Sequence, residues 1–221
     1  MKTIAQNQQI DYRTLRIIVG IIAVTLPVLT SLFSSHSLTS ISMSYYEDGW
    51  SRNIFVGFLF SIGAFLLSYN GTWPSEMPLS KIAAVSALCI AMFPFGSDNE
   101  KEIIPYVHGV SAAIMFGILT YFCYGFYKRS RVKDFPEAKQ RSIVYAICGI
   151  IMGLSVVVLA IDQVVGDSLK NIFPRLTFYG EAVALVAFGI SWLVASTSLP
   201  FISRKSERVT IIGNPIVYPW D

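Results

Sequence analysis

Histidine, cysteine and charge are scarce in this chain: two histidines and three cysteines among 221 residues, with only 14% of side chains charged. Each shortage closes off a class of chemistry. Catalytic zinc commonly takes several His ligands, and two histidines make such a centre hard to build. Cys89, Cys123 and Cys148 lie inside apolar stretches without Cys-x-x-Cys or Cys/His spacing, so they read as small apolar residues and not as a metal site. No Gly-x-Ser-x-Gly elbow, His-Glu-x-x-His pair, Walker loop or Gly-x-Gly-x-x-Gly fingerprint occurs, which argues against known intramembrane hydrolase signatures and against nucleotide use. Nothing in the sequence suggests nucleic-acid binding.

What is abundant is apolar surface. Hydrophobic residues make up 53% and the mean hydropathy is +0.56, outside the range of a soluble domain of this size. A helix needs about 20 apolar residues to cross roughly 30 Å of hydrocarbon. The expected fold is therefore an all-α membrane protein, a six-transmembrane helix bundle with spans near 16–34, 53–69, 80–97, 103–127, 142–163 and 177–200. Residues 1–203 form the transmembrane domain and 204–221 a tail, leaving no room for a soluble catalytic domain. Turn clusters at Tyr69 to Pro74, Pro94 with Gly96, and Asn171 to Pro174 support the cuts. The first stretch follows Lys2, Arg13 and Arg16 and is read as a retained span, because Ser35 and Ser37 offer a poor cleavage site.

Basic residues sort by side. About thirteen of the 17 Lys and Arg fall on one side of these spans, while Arg52, Lys101, Lys170 and Arg175 fall on the other. By the positive-inside rule both termini are cytoplasmic and the location is the plasma membrane, the inner membrane in a bacterium. Asn70-Gly-Thr72 is then a cytoplasmic sequon, out of reach of glycosylation, and the basic loop from Lys128 to Arg141 is explained by topology alone. In the tail, Arg204, Lys205 and Arg208 precede an apolar piece, 209–220, too short to span, with Tyr218 and Trp220 as interfacial anchors. Small residues recur at helical spacing: Gly109, Ala113 and Gly117; Gly149 and Gly153; Gly180 and Ala184. They are expected to be packing seams and not substrate paths, and such faces also offer a route to homo-oligomers.

Ionisable residues well inside the spans are His108, Asp162 and Glu181. A charge at the centre of the bilayer costs roughly 2.5 to 3.5 kcal/mol even on lenient scales, so such residues face a cavity, a partner or water. With a 1.5 Å rise per residue, His108 and Glu181 lie roughly 7 Å below the outer helix ends, and Asp162 is in the last outward turn of its span. Above them runs the longest outer loop, with His36, Tyr45, Tyr46, Glu47, Asp48 and Arg52, while Asp98, Glu100 and Glu102 cap the turn between spans three and four.

Three readings of this constellation compete. In one it is structural glue, Arg52 pairing with Glu47, Asp48 or Glu181 and His108 bonding a neighbouring helix. In the second, an outward-facing pocket binds a lipid headgroup or small polar ligand through Arg52, His108, Asp162, Glu181, Tyr45, Tyr46, Glu47 and Asp48, and membrane lipids are the partners. In the third, His108 with Asp98, Asp162 or Glu181 holds a divalent metal or acts as acid and base, making a lipid hydrolase or transferase at the outer interface. The pocket is the working reading, with no cofactor expected and a divalent metal entering only with the enzyme alternative. Ser40, Ser42 and Ser44 are expected to be turn and capping groups, not nucleophiles. A proton-coupled carrier or channel is weakened by the inner halves of the late spans, which offer mainly Thr120, Tyr121 and Ser196.

The order of several motifs resembles the DRAM-like six-span membrane family, the autophagy modulators and FGF-receptor-activating-protein group with related bacterial membrane proteins. The matching pieces are Ser40-Ile-Ser42, Tyr45-Tyr46, Arg52-Asn-Ile-Phe-Val-Gly57 and Gly63-Ala-Phe-Leu-Leu, then His108-Gly-Val-Ser-Ala-Ala113 with Tyr121, and Glu181 with Ser191-Trp192. The resemblance implies a six-helix bundle, places Arg52, His108 and Glu181 at motif positions, and favours a lipid-linked sensing, trafficking or membrane-organising role. The outer loop here is short and carries no cysteine for a lumenal disulfide, which points to a bacterial-type relative. A comparison with intramembrane hydrolases of the alkaline-ceramidase superfamily fails at the metal ligands, because the last span has Glu181 and no histidine.

Overall fold

The computed structural model describes residues 12–95, 106–165 and 168–204. Among them the chain is helical without strands: α1 (Tyr12–Leu32), a 3-10 turn (Ser42–Tyr46), α2 (Trp50–Ser68), α3 (Glu76–Met92), α4 (Val107–Arg131), α5 (Pro136–Val164), a short α6 (Ser168–Ile172) and α7 (Leu176–Ala195). Five of these, α1, α2, α4, α5 and α7, are long and apolar enough to cross a membrane. The expected spans are all represented by helices, with shifted ends. Helix α4 runs four residues past the expected Tyr127, where Lys128, Arg129 and Arg131 complement the negative end of the helix dipole. Helix α5 starts at Pro136, whose fixed φ suits the first turn, and not at Ser142. Helix α3 ends at Met92, two residues before Pro94, and α7 ends at Ala195, short of Pro200. The short α6 and the 3-10 turn were not anticipated. Asp98, Glu100, Lys101, Glu102 and the tail from Lys205 onward lie outside the described residues.

The long helices form a closed ring. Each packs on the next in the order α1, α2, α3, α4, α5, α7, and α7 returns to α1. Small residues set these contacts, since helices in an apolar solvent gain from close packing and not from hiding from water. On α3 the buried face is Ala83, Ala84, Ala87 and Ala91, and Gly63 of α2 lies so close that an added Cβ would meet Ala84 O at 3.3 Å. Gly149 of α5 lies against Cys123 of α4, where a Cβ would sit 3.2 Å from its neighbour. At the closing seam Gly20 and Gly189 face each other, a pair the sequence reading did not single out.

Polar backbone groups are satisfied locally. Pro27 interrupts the hydrogen bonding of α1, and nearby Thr30 donates to Leu26 O at 2.8 Å while its own carbonyl accepts from Ser51 Oγ at 2.9 Å. Toward one end the inside of the ring is aromatic: Trp192 lies 5.2 Å from Tyr69 and 5.4 Å from Phe188, and Phe126 lies 5.4 Å from Tyr145, ring centre to ring centre. Such pairs contribute about 0.5 to 1.5 kcal/mol each beyond the area they bury.

One end of the ring carries buried charge. Arg16 donates to Ala195 O at 2.8 Å and lies over the Tyr69 and Phe126 rings, tying the start of α1 to the end of α7. Arg141, 2% exposed, donates to Ile202 O at 2.9 Å. Glu76, wholly buried, meets Arg129 at 2.6 Å. The candidate site lies at the other end, about 30 Å away along α4 by helical rise.

Candidate functional site

A cavity of about 300 Å³ opens between α4, α5 and α7 beneath the segment that follows α1. The helices reach it with repeating faces. On α4 the lining positions are 108, 109, 112, 113 and 116; on α5 they are 155, 156, 159, 160 and 163; on α7 they are 177, 180, 181 and 184. These are the i, i+4, i+8 and i, i+3, i+4, i+7 stripes of helices that each turn one side to a common space. A second pocket of about 40 Å³ continues inward, sharing His108, Glu181 and Ser42 with the first and otherwise mostly apolar.

His108 and Glu181, expected from the sequence to lie together, both line this cavity. The imidazole of His108 is fixed by its Nδ1, 2.9 Å from Phe93 O at the end of α3. A carbonyl only accepts, so Nδ1 carries the proton, and in the neutral ring Nε2 is the acceptor. The Glu181 carboxylate accepts the Ile41 N–H at 2.6 Å. It thereby anchors the segment after α1, which is stitched to α7 twice more, by Phe178 N–H to Thr39 O at 2.9 Å and Arg175 Nε to Leu38 O at 3.0 Å.

The other expected site residues are placed differently. Asp162 is 1% exposed and turned away from the cavity, where its Oδ1 accepts the Leu169 N–H at 2.7 Å and holds α6 in place. Arg52 is exposed and stacks on Tyr45, its guanidinium 4.5 Å from the ring centre, with no ion pair to Glu47, Asp48 or Glu181 among the described residues. Tyr45 and Tyr46 contact edge to face, and the Tyr46 hydroxyl donates to Phe95 O at 2.9 Å. Asp48 is exposed. Arg52, Tyr45, Tyr46, Glu47 and Asp48 therefore form a separate patch beside the cavity and do not line it. Among the described residues no three His, Cys, Asp or Glu lie together as a metal cluster, and Asp98 lies outside them.

Sequence reasoning missed Gln163, Ser155, Thr39, Thr177 and Lys170 on the wall. The first four are uncharged, and Lys170 is carried by the unforeseen α6. The Thr177 hydroxyl is buried without a partner among the described residues. Ser40 and Ser42 also line the space, and their hydroxyls lie 2.9 Å apart while Ser40 Oγ accepts the Met43 N–H, the turn-forming role expected of them. Gly109, Ala113, Gly180 and Ala184, expected as packing seams, line the cavity; at Gly180 the seam is also tight, a Cβ there meeting Leu159 at 3.1 Å.

In the neighbouring patch the Glu47 carboxyl is raised by partial burial but pulled further down, below the ordinary carboxylate range, by bonds from the Ser35 N–H, Ser34 and His36. The Ser35 bond is 2.8 Å and the His36 contact 3.4 Å. A carboxyl whose pKa falls on folding stabilises the ordered loop above its unfolded value and loses that contribution as pH drops through the folded one. An NMR titration of the Ser35 amide is expected to show an acid transition below the ordinary carboxylate pKa that Glu47→Gln abolishes. A midpoint at or above that value would contradict the tether.

No protein-family model matches the chain, and neither a curated protein nor a solved structure is significantly similar to it.

Proposed function

We propose that this chain is a six-span protein of the plasma membrane, the inner membrane in a bacterium, whose termini are cytoplasmic and whose cavity faces outward to bind a lipid headgroup or small polar ligand. The carrying observation is that His108 and Glu181, from α4 and α7, line one cavity of about 300 Å³ with Lys170 and several hydroxyls. That volume is at the lower end of ordinary ligand sites, and its few polar groups among apolar walls match their usual make-up. Helix α3, with 17 residues, is the sixth span: it rises about 25 Å and packs between α2 and α4 in the ring. Orientation follows from the basic residues, which gather at the end of the ring away from the cavity.

A DRAM-like assignment agrees with this reading, since two of its three motif residues, His108 and Glu181, share the cavity wall. The role is lipid-linked sensing, trafficking or membrane organisation. Homo-oligomers, if formed, have the outward-facing Gly117 available, where an added Cβ meets nothing within 4 Å.

Native mass spectrometry of the detergent-purified chain tests the proposal by its co-purifying ligand. Glu181→Gln, which keeps an acceptor for the Ile41 N–H, is expected to lower occupancy at least fivefold with helix content unchanged. His108→Ala is expected to do the same. Occupancy unchanged in both variants would sink the reading.

A further inference from the structure

The walls of the cavity are not equally closed. Between α5 and α7 the seam is tight at Gly180 and Leu159, and deeper between α4 and α5 it is tight at Gly149 and Cys123. Higher on the α4–α5 seam the packing is looser: an added Cβ on Gly109 would meet only Gln163 Oε1, at 3.8 Å, an ordinary contact. Here the cavity lining comprises Gly109, Ala113, Ala160 and Gln163, and the last three are exposed. The surface around this gap carries exposed Val110, Ile114, Val157 and Ile161. In a membrane-spanning bundle an opening within such an apolar belt meets hydrocarbon, not water.

We infer that this gap is a lateral portal through which a membrane glycerophospholipid with a zwitterionic headgroup enters the cavity, its acyl chain remaining between α4 and α5. The inference rests on the ligand-binding reading above and adds the ligand class and the route. A ligand arriving from hydrocarbon must be amphiphilic, and the lining is correspondingly divided: Glu181, His108 and Lys170 against Phe116, Val156 and Leu159. Both signs of charge are represented inside. The carboxylate and the imidazole Nε2 accept from an ammonium, and the lysine matches a phosphate. A small-residue stripe alone is a packing seam; here the stripe lines a cavity that also holds Glu181, His108 and Lys170, and it is flanked by the exposed apolar residues Val110, Ile114, Val157 and Ile161.

The test places the full chain in vesicles containing phosphatidylethanolamine with a photoreactive diazirine in one acyl chain, and maps cross-links by peptide mass spectrometry. Labelling is expected to concentrate on 107–117 and 153–164, several-fold above the exposed face of α2. Ala113→Trp and Ala160→Trp, on opposite lips of the gap, are each expected to lower it at least fivefold, so that misfolding of one leaves the other as the test. Excess water-soluble glycerophosphoethanolamine is expected not to compete. If both tryptophan variants label like the parent while Glu181→Gln still reduces labelling, the portal is wrong and the headgroup cavity stands. Competition by the soluble compound, with labelling no higher at the gap than elsewhere, overturns lateral entry in favour of a free polar ligand. Labelling unaffected by any of the three substitutions removes the ligand reading together with the portal.

Discussion

Replacing Arg129 with methionine is expected to cost about 3 to 5 kcal/mol of stability, the range found when one partner of a buried ion pair is removed. The reason is the setting of Glu76. Its side chain is 0% exposed, with Oε1 2.6 Å from Arg129 Nη1 and Oε2 accepting the Thr72 N–H at 2.5 Å and the Trp73 N–H at 3.3 Å. Without the guanidinium a buried carboxylate remains, held by backbone donors alone. The reverse change, Glu76→Gln, is expected to cost less, because Arg129 is 24% exposed, stacks on Trp73 and Phe126, and retains access to solvent. The double variant Glu76→Gln, Arg129→Met is expected to be more stable than Arg129→Met alone, since the stranded charge is gone. Reversible unfolding in mixed micelles measures all three. A loss under about 1 kcal/mol in Arg129→Met would show that the pair is not structural, since exposed pairs contribute about that much or less.

Gly189→Ala is expected to open the closing seam of the ring at a cost of about 3 kcal/mol, the upper part of the overpacking range. An added Cβ at Gly189 would lie 2.6 Å from Val24 Cγ2, 2.7 Å from Gly20 O and 3.1 Å from Val24 N. Two of those three atoms are backbone, so α1 itself has to move. At Gly20 the added atom would meet Leu193 Cγ at 2.6 Å and Gly189 O at 2.9 Å. There the side chain can rotate but the carbonyl cannot, and a somewhat smaller loss is expected. Each glycine leaves room for the carbonyl of the other, so the two substitutions are expected to be sub-additive: once α1 and α7 are forced apart, the second methyl enters free space. Gly109→Ala is the control, expected within about 0.5 kcal/mol of the parent. Gly189→Ala within that same margin would mean that the seam is not closed as described.

The long apolar helices were legible because runs of apolar residues bounded by Pro, Gly and Asn are the pattern that hydrocarbon thickness demands of a span. Their ends were not, because α4 and α5 continue as helices beyond the apolar run, through Lys128 to Arg131 and from Pro136 to Arg141. The candidate site was half legible. Selecting residues by ionisability found His108 and Glu181 and mistook Asp162 for a third wall residue. Helical angle would have separated them: Asp162 is one position, about 100°, from Gln163, enough to turn it out of the cavity toward α6. Uncharged Ser155, Gln163 and Thr177 gave no such signal, yet they continue the same stripes as the small residues. The Glu76–Arg129 pair escaped because its partners are 53 residues apart and each, alone, reads as a solvated residue near a helix end.

The return of α7 to α1 bears on how the protein is made. In the membrane bundle proposed above, a chain threaded into the bilayer from its N-terminus exposes Gly20, Val24 and Arg16 to lipid first, and the residues of α7 that cover them follow about 170 residues later. At synthesis rates of roughly 5 to 20 residues per second that interval is on the order of 8 to 35 s. Throughout it the groove of α1 is open to any helix with a small-residue face, so the newborn chain is most vulnerable to mispairing at the site where the finished bundle is most tightly joined.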